Sequence, residues 1–358
     1  MDNELLLFDR VNVIKDTITK YGEENFYLSF SGGKDSTIVH YLLDQALPGN
    51  KIPRVFINTG IEYQMIVDFV KGLAAKDDRF IILQPTQAIK PMLEKYGYPF
   101  KSKQHAHNVM VYQHSGIGQS VKRYLGIIES NTKFRCPKCL EYQFTSEFTL
   151  KLSDNCCRKL KKEPIHKWEK ASNRHIAITG MRNSEGGKRA SIKGCILTDK
   201  QGNVKRFHPL IKVTDAWENW LIERERESIA LCPLYCQPYN FKRTGCKGCP
   251  FSLDLQDQLE TMELYLPNER KQCEMIWKPV YQEYRRIGYR LKSIDQIKLF
   301  WNNRLTKKMP PKCLCRYVQK SERNLALFLC LDIMFVDRWG VNAIWFPPTY
   351  NEWWNDKS

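Results

Sequence analysis

Short apolar runs alternate with stretches of helical spacing over the first hundred residues. Phe26-Tyr27-Leu28-Ser29-Phe30, Arg54-Val55-Phe56-Ile57-Asn58 and Arg79-Phe80-Ile81-Ile82-Leu83 have the length and continuity of buried strands. Val39, Leu42, Leu43 and Ala46 recur at helical intervals before Pro48-Gly49, and Met65 to Ala75 and Ile89 to Tyr96 repeat the pattern. Arg10 to Tyr21 reads as an amphipathic helix ahead of the first strand. This alternation predicts an α/β fold, a parallel sheet flanked by helices on both faces. Ligands of such sheets gather at the C-terminal strand ends, where Ser31–Ser36 and Asn58–Glu62 would meet.

From Lys101 to Lys138 the chain is polar and reads as helix and loop, with His105, His107 and His114 as loop histidines. His175-Ile176-Ala177-Ile178-Thr179-Gly180 is a further strand, ending in Met181-Arg182. Thr214 is the expected cap of a helix that buries Trp217, Trp220 and Leu221. Beyond Ser252 the pattern is helix-rich, which gives a nucleotide-binding domain over 1–255 and a helix-rich C-terminal region over 256–358. Leu325 to Val336 is short for a membrane span and contains Asp332, so it reads as a buried helix. The N-terminus lacks a basic start with a long apolar run, so no secretory signal and a cytoplasmic protein are expected.

Composition adds a bias toward anionic partners. Lys and Arg number 56 against 39 Asp and Glu, a formal charge of +17 on 358 residues, which suits nucleotides and also nucleic acid. The basic and aromatic residues of Tyr281 to Arg316 suit single-stranded nucleic acid or, alternatively, an inward-packed helical layer. In the cytoplasm the 13 cysteines would stay reduced and point to metal or redox chemistry rather than disulfides.

Between the first strand and its helix lies Ser31-Gly32-Gly33-Lys34-Asp35-Ser36. Two glycines let backbone N–H groups approach an anion, the helix start adds its positive end, and Lys34, Ser31 and Ser36 add a charge and two hydroxyls. Asp35 is either a carboxylate that helps place Mg²⁺ on a triphosphate or a residue favoured by the helix dipole. The loop is too short for the common G-x-x-x-x-G-K-[ST] phosphate loop. It resembles the PP-loop of the ATP pyrophosphatases and phosphoadenosine phosphosulfate (PAPS) reductases, the Rossmann-related adenine nucleotide α-hydrolase superfamily.

Cys156-Cys157 and Cys246-Lys247-Gly248-Cys249 together supply four thiols, enough for a [4Fe–4S] cluster and equally for Zn²⁺. Ligation of one centre by two adjacent cysteines requires an irregular or helical backbone there. Cys136-Pro137-Lys138-Cys139 has the spacing of a metal knuckle, with Cys232 and Cys236 or Cys313 and Cys315 as candidate partners, while Cys195, Cys273 and Cys330 read as buried apolar fillers. In order along the chain, Cys156-Cys157-Arg158-Lys159, Ile178-Thr179-Gly180-Met181-Arg182 with Glu185 and Arg189, His208-Pro209-Leu210 with Asp215 and Trp217, and Gly245-Cys246-Lys247-Gly248-Cys249 resemble the PAPS reductase family, and most of all its cluster-bearing members and phage-type relatives. The resemblance implies a [4Fe–4S] cluster on Cys156, Cys157, Cys246 and Cys249. It also implies nucleotide contacts from Ser31, Gly32, Gly33, Lys34, Asp35, Ser36, Gly60, Gly180, Arg182 and Arg189, with Lys34 and Arg182 stabilising charge during the reaction. Glu185 is expected to pair with one of these arginines.

Two departures shape the expected reaction. Reductases that this chain resembles carry a C-terminal Glu-Cys-Gly-x-His segment whose thiolate attacks the sulfate sulfur, whereas residues 350–358 contain no cysteine. The phosphate loop, degenerate in those reductases, is complete here, as in enzymes that split ATP to AMP and pyrophosphate. Both features favour ATP-dependent adenylation and sulfur transfer, in the manner of DNA phosphorothioation enzymes, with a sulfur donor or thiol reductant protein as partner. Reduction of adenylyl sulfate or PAPS with an external thiol, and a non-catalytic nucleic-acid-binding or regulatory role, are the alternatives.

Overall fold

The computed structural model describes residues 2–129, 135–186 and 189–291, all within one unit, Met1–Lys292. The expectations for Leu325–Val336, for Cys313, Cys315 and Cys330, for the basic-aromatic stretch beyond Leu291 and for the cysteine-free end lie outside the described residues.

Helix α1 (Asn3–Tyr21) starts seven residues before the predicted Arg10, because Asp2 caps it by accepting from Glu4 N. Strand β1 (Phe26–Ser29) follows, then α2 (Lys34–Ala46), β2 (Arg54–Ile57), α3 (Gln64–Ala74), β3 (Phe80–Leu83) and α4 (Ile89–Tyr96). Strands β1, β2 and β3 are parallel neighbours, and β4 (Ile176–Ile178) pairs in parallel with the other side of β1. Alternation along β1 divides its side chains: Phe26 and Leu28 enter the main core with α1 and α2, whereas Tyr27 joins a small cluster with Val55, Ala177, Ile165 and Trp168.

The sheet has six strands in the order β3-β2-β1-β4-β6-β5. Its far edge differs from the all-parallel expectation. Strand β5 (Ile196–Thr198) runs antiparallel to β6 (Val204–Phe207) in a short hairpin, turned by Asp199, whose carboxylate accepts from Gln201 N and Asn203 N. The sequence reading did not separate this hairpin because each strand offers only three or four residues of pattern.

Helices α5 (Lys103–Ser115) and α6 (Gln119–Leu125) form the polar region after β3. The three histidines read as loop residues instead lie on α5, which Ser102 caps. His105 is fully buried, with Nε2 donating to Gln143 Oε1 at 2.7 Å and Nδ1 3.0 Å from the Tyr124 hydroxyl. Helix α7 (Asn155–Cys157) continues through a wider π-type turn at Arg158–Lys162 into α8 (Glu163–Ser172), which lies over the Tyr27 face of the sheet. Helix α9 (Asp215–Arg224), capped by Thr214 as predicted, packs beside α2. Helices α10 (Leu255–Tyr265), α11 (Pro267–Ile276) and α12 (Lys278–Arg286) complete the unit.

A buried polar cluster ties α2 to the sheet. Arg54 is fully buried and donates to Asp44 Oδ1 and Asn50 Oδ1, both at 2.7 Å, and to His40 Nδ1 at 3.1 Å; Arg79 also donates to both oxygens of Asp44. Burial lowers Arg54 to about 10, against the opposing pull of Asp44. Removing the carboxylate would strand a buried charge. Asp44→Ala is therefore expected to lower stability by about 3 kcal/mol, read from urea unfolding; a change below a tenth of that would contradict the pairing.

His40, His105 and His208 are each lowered from 6.5 to about 4, first of all by burial. The folded protein thus resists protonation that the unfolded chain accepts. Their stabilising contribution is present above 6.5 and is lost as pH falls toward about 4. Unfolding midpoints should decline over that window, and His105→Gln should flatten the decline; an unchanged slope in the variant would remove His105 from the account.

Candidate active site

The junction of β1 and α2 forms a tight turn. Gly32 holds φ +69°, a conformation that glycine adopts without penalty. The Ser31 hydroxyl accepts from Gly33 N at 3.2 Å, Ser36 Oγ accepts from Ser31 N at 3.2 Å, and the Ser36 and Thr37 hydroxyls donate to the Gly33 carbonyl at 2.9 and 3.0 Å. These bonds fix the loop before any ligand arrives. The end of β4 closes against the same turn: a Cβ on Gly180 would lie 2.7 Å from Asp35 Cβ and 2.8 Å from its carbonyl carbon, so only glycine fits.

Arg182, two residues on, is 4% exposed and is surrounded by carboxylates. Its Nε donates to Asp35 Oδ1 at 2.9 Å and lies 3.1 Å from Glu218 Oε1, while Nη1 donates to Asp215 Oδ1 at 2.5 Å. Burial opposes its charge, but Asp215, Glu218 and Asp35 together outweigh burial and raise its pKa. Lys34 reaches Asn219 Oδ1 at 3.4 Å and Glu218 Oε2 at 3.5 Å. Burial, with Asp35 beside it, pushes Glu218 up to about 8.

A cleft of about 300 Å³ opens over this arrangement, lined by Ser31, Gly33–Ser36, Gly180, Arg182 and Arg189 among others. Glu185 pairs with both Arg189 and Arg243, as the sequence led us to expect for one arginine. Nine of the ten predicted nucleotide contacts lie in or beside this cleft: Gly32 forms its turn, whereas Gly60 is exposed beyond the end of β2 and lines neither this cleft nor the larger chamber beside it. Ser29, Ser31, Thr179 and Thr244 also border a larger chamber of about 640 Å³ between the Tyr27 face of the sheet and α8. Its walls include Glu62, Lys161, Lys162, His166 and Arg206.

The four predicted thiol ligands share one neighbourhood, and Lys161 of the chamber wall reaches Cys246 there. Cys156 and Cys157 sit in the helical turn of α7, the irregular backbone that adjacent ligands require. The hydrogen bond to Cys157 and then burial raise Cys156, with Cys246 and Cys249 adding to the rise, and burial raises Cys246 and pushes Cys249 up to about 12. Cys157 is lowered to about 6: the Cys156 thiol donates to it, and the Lys103 and Lys161 ammonium groups lower it further against burial. Lys161 also lies 3.3 Å from Glu62 Oε1, whose other oxygen accepts from Thr59 N and Oγ1. Four thiols faced by two ammonium groups fit the donor set and the negative charge of a thiolate-bound [4Fe–4S] cluster. Four thiols are also the donor set of Zn²⁺, and among the described residues no group of three or more His, Cys, Asp or Glu is arranged to hold a metal ion. Cys136 is buried and Cys139 exposed, Cys232 is buried and Cys236 exposed, and Cys273 is the buried filler expected; Cys195 is only partly buried, 3.5 Å from Arg10 Nη1.

Sequence reasoning did not single out Lys161, Lys103, Glu62 or Glu218. Only Glu218 left a local signal, an acidic residue three after Asp215 on the same face of α9. No helix among the described residues is long and apolar enough to cross a membrane.

An uncharacterised protein of Methanocaldococcus jannaschii is 23% identical over 84% of this chain, and the chain spans 57% of that relative's length. Among solved structures, a phosphoadenylyl-sulfate reductase from Candida auris in complex with phosphate is 13% identical, with a TM-score of 0.37 over 66% of this chain and 93% of its own. An NH3-dependent NAD synthetase from Campylobacter jejuni is 15% identical, with a TM-score of 0.35 over 82% of this chain and 99% of its own. The phosphoadenosine phosphosulfate reductase domain matches residues 25–113 and 117–252, more than half of the sequence and every site residue discussed above. The chain therefore belongs to the phosphoadenosine phosphosulfate reductase domain family.

Proposed function

We propose that this protein is an enzyme that binds an adenine nucleotide at the Ser31–Ser36 loop beside a [4Fe–4S] cluster on Cys156, Cys157, Cys246 and Cys249, and that it uses ATP to adenylate an acceptor oxygen for replacement by sulfur. The observation that carries this reading is the complete, pre-bonded phosphate loop bordering the larger chamber, whose wall residue Lys161 bonds to Cys246 of the thiol group. A triphosphate in the cleft would meet loop amides, Lys34 and Arg182. Attack of the acceptor oxygen on the α-phosphorus breaks its bond to pyrophosphate, and these donors would stabilise the charge that develops on the leaving group. The chamber has room for an acceptor, and its cationic wall suits an anionic one, nucleic acid included. AMP then leaves as a sulfur nucleophile from a donor protein or thiol takes its place. A bound cluster would supply one-electron chemistry or a sulfur-binding surface; Lys103 and Lys161 would offset its charge.

The family match supports a second reading, reduction of adenylyl sulfate or PAPS to sulfite with an external thiol. Incubation with ATP and with adenylyl sulfate separates the two. Pyrophosphate release from ATP, stimulated by acceptor, is expected; sulfite release from adenylyl sulfate without pyrophosphate chemistry would replace the proposal. Lys34→Met should slow pyrophosphate release by roughly a hundredfold or more, measured by a coupled phosphate assay, and wild-type turnover in this variant would remove Lys34 from the chemistry.

Anaerobic purification tests the thiol site. About four iron and four sulfide per chain are expected, with a visible charge-transfer band that Cys246→Ser diminishes. Zinc without sulfide would overturn the cluster assignment and leave the nucleotide site standing.

A further inference from the structure

Three carboxylates surround Arg182, and they are not equivalent. The Asp215 side chain is 74% exposed and Asp35 34%, but Glu218 is fully enclosed. Glu218 lies in the first turn of α9, on a helix set in place by the Thr214 cap. Its two oxygens face two cations from different elements, Lys34 on α2 and Arg182 after β4. Lys34 has one further partner, Asn219, also on α9. Two of the cations that line the cleft, Lys34 and Arg182, are thus held by a single helix. Neither Glu218 oxygen has an aligned hydrogen-bond donor among the described residues. Enclosing a carboxylate in this way costs stability unless its ion pairs repay it, and a well-packed apolar residue would avoid that cost.

We propose that Glu218 is a positioning residue of the phosphate cleft, holding the Lys34 ammonium and the Arg182 guanidinium where arriving phosphate oxygens meet them. This inference rests on the reading of Ser31–Ser36 as a phosphate site. It carries a sign that distinguishes it from simple electrostatics. Coulomb's law alone predicts that deleting a negative charge beside an anion site tightens anion binding. Positioning predicts the reverse, because released cations must be ordered again by the ligand.

The test uses the full chain at about pH 9, above the value of about 8 at which Glu218 ionises, with Glu218→Gln, which keeps the shape and removes the charge. Calorimetry with inorganic pyrophosphate should show binding weakened by roughly fivefold or more, with unchanged circular dichroism. Without any ligand, acetylation of Lys34 by acetic anhydride, followed by mass spectrometry and scaled to Lys20, should accelerate several-fold in the variant. Asn219→Ala, which removes the other tether, should give a smaller acceleration and keeps the labelling comparison available if Glu218→Gln does not fold. Unchanged Lys34 labelling in both variants overturns the proposal whatever binds. Faster labelling with equal or tighter pyrophosphate binding also overturns it, since the tether would then restrain rather than position. Wild-type protein that binds no pyrophosphate defeats the phosphate-site reading itself, while the labelling result still decides whether α9 holds Lys34.

Discussion

The contact between the end of β4 and the first turn of α2 is the constraint on which the site depends. Without a Cβ at Gly180, the backbone of one strand lies against the backbone of the neighbouring helix start, close to the limit of van der Waals approach. That approach brings Arg182 over Asp35 and turns two separate chain segments into one anion-facing surface. Parallel pairing of β1 with β4 supplies the register: Leu28 is opposite Ile178, so both strands end at the same level. Helix α9 then closes the third side. The proposed phosphate cleft is therefore built from three elements, which pair Lys34 and Arg182 with carboxylates among themselves.

Five cations line the cleft: Lys34, Arg182, Arg189, Lys242 and Arg243. Carboxylates of α9 already hold Lys34 and Arg182, and Glu185 holds Arg189 and Arg243. Affinity for phosphate there would come from directed N–H groups and fixed cationic side chains together.

Much of the fold could be read from spacing. The strands β1 to β4 and the helices α2 to α4 follow apolar runs long enough to show their period, and the phosphate loop declares itself through two glycines between a strand and a helix. The site was only partly legible. Ser31–Ser36, Gly180 and Arg182 are local in sequence or follow a strand end, where ligands of such sheets gather. Glu218 and Lys161 owe their importance to contacts across the fold, with partners 184 and 99 positions away respectively, and a charged residue on a helix carries no mark of the face that will be enclosed. The histidines of α5 show the same limit: a polar helix with His105 buried through two side-chain hydrogen bonds has no apolar stripe to reveal it. The β5–β6 hairpin escaped because short edge strands offer too few residues to establish alternation.

The loop that carries Cys246 and Cys249 is fastened from behind by three aromatic side chains, Trp277 between α11 and α12 and Tyr281 and Tyr284 on α12. Trp277 Nε1 donates to the Lys247 carbonyl at 3.1 Å, Tyr281 to Gly248 at 2.5 Å and Tyr284 to Pro250 at 2.8 Å, and all three side chains are fully buried. These donors lie after residue 252, where the match to the family domain stops. A segment of this chain ending at residue 252 would carry Cys246 and Cys249 on a loop stripped of the three buried donors that hold its carbonyls.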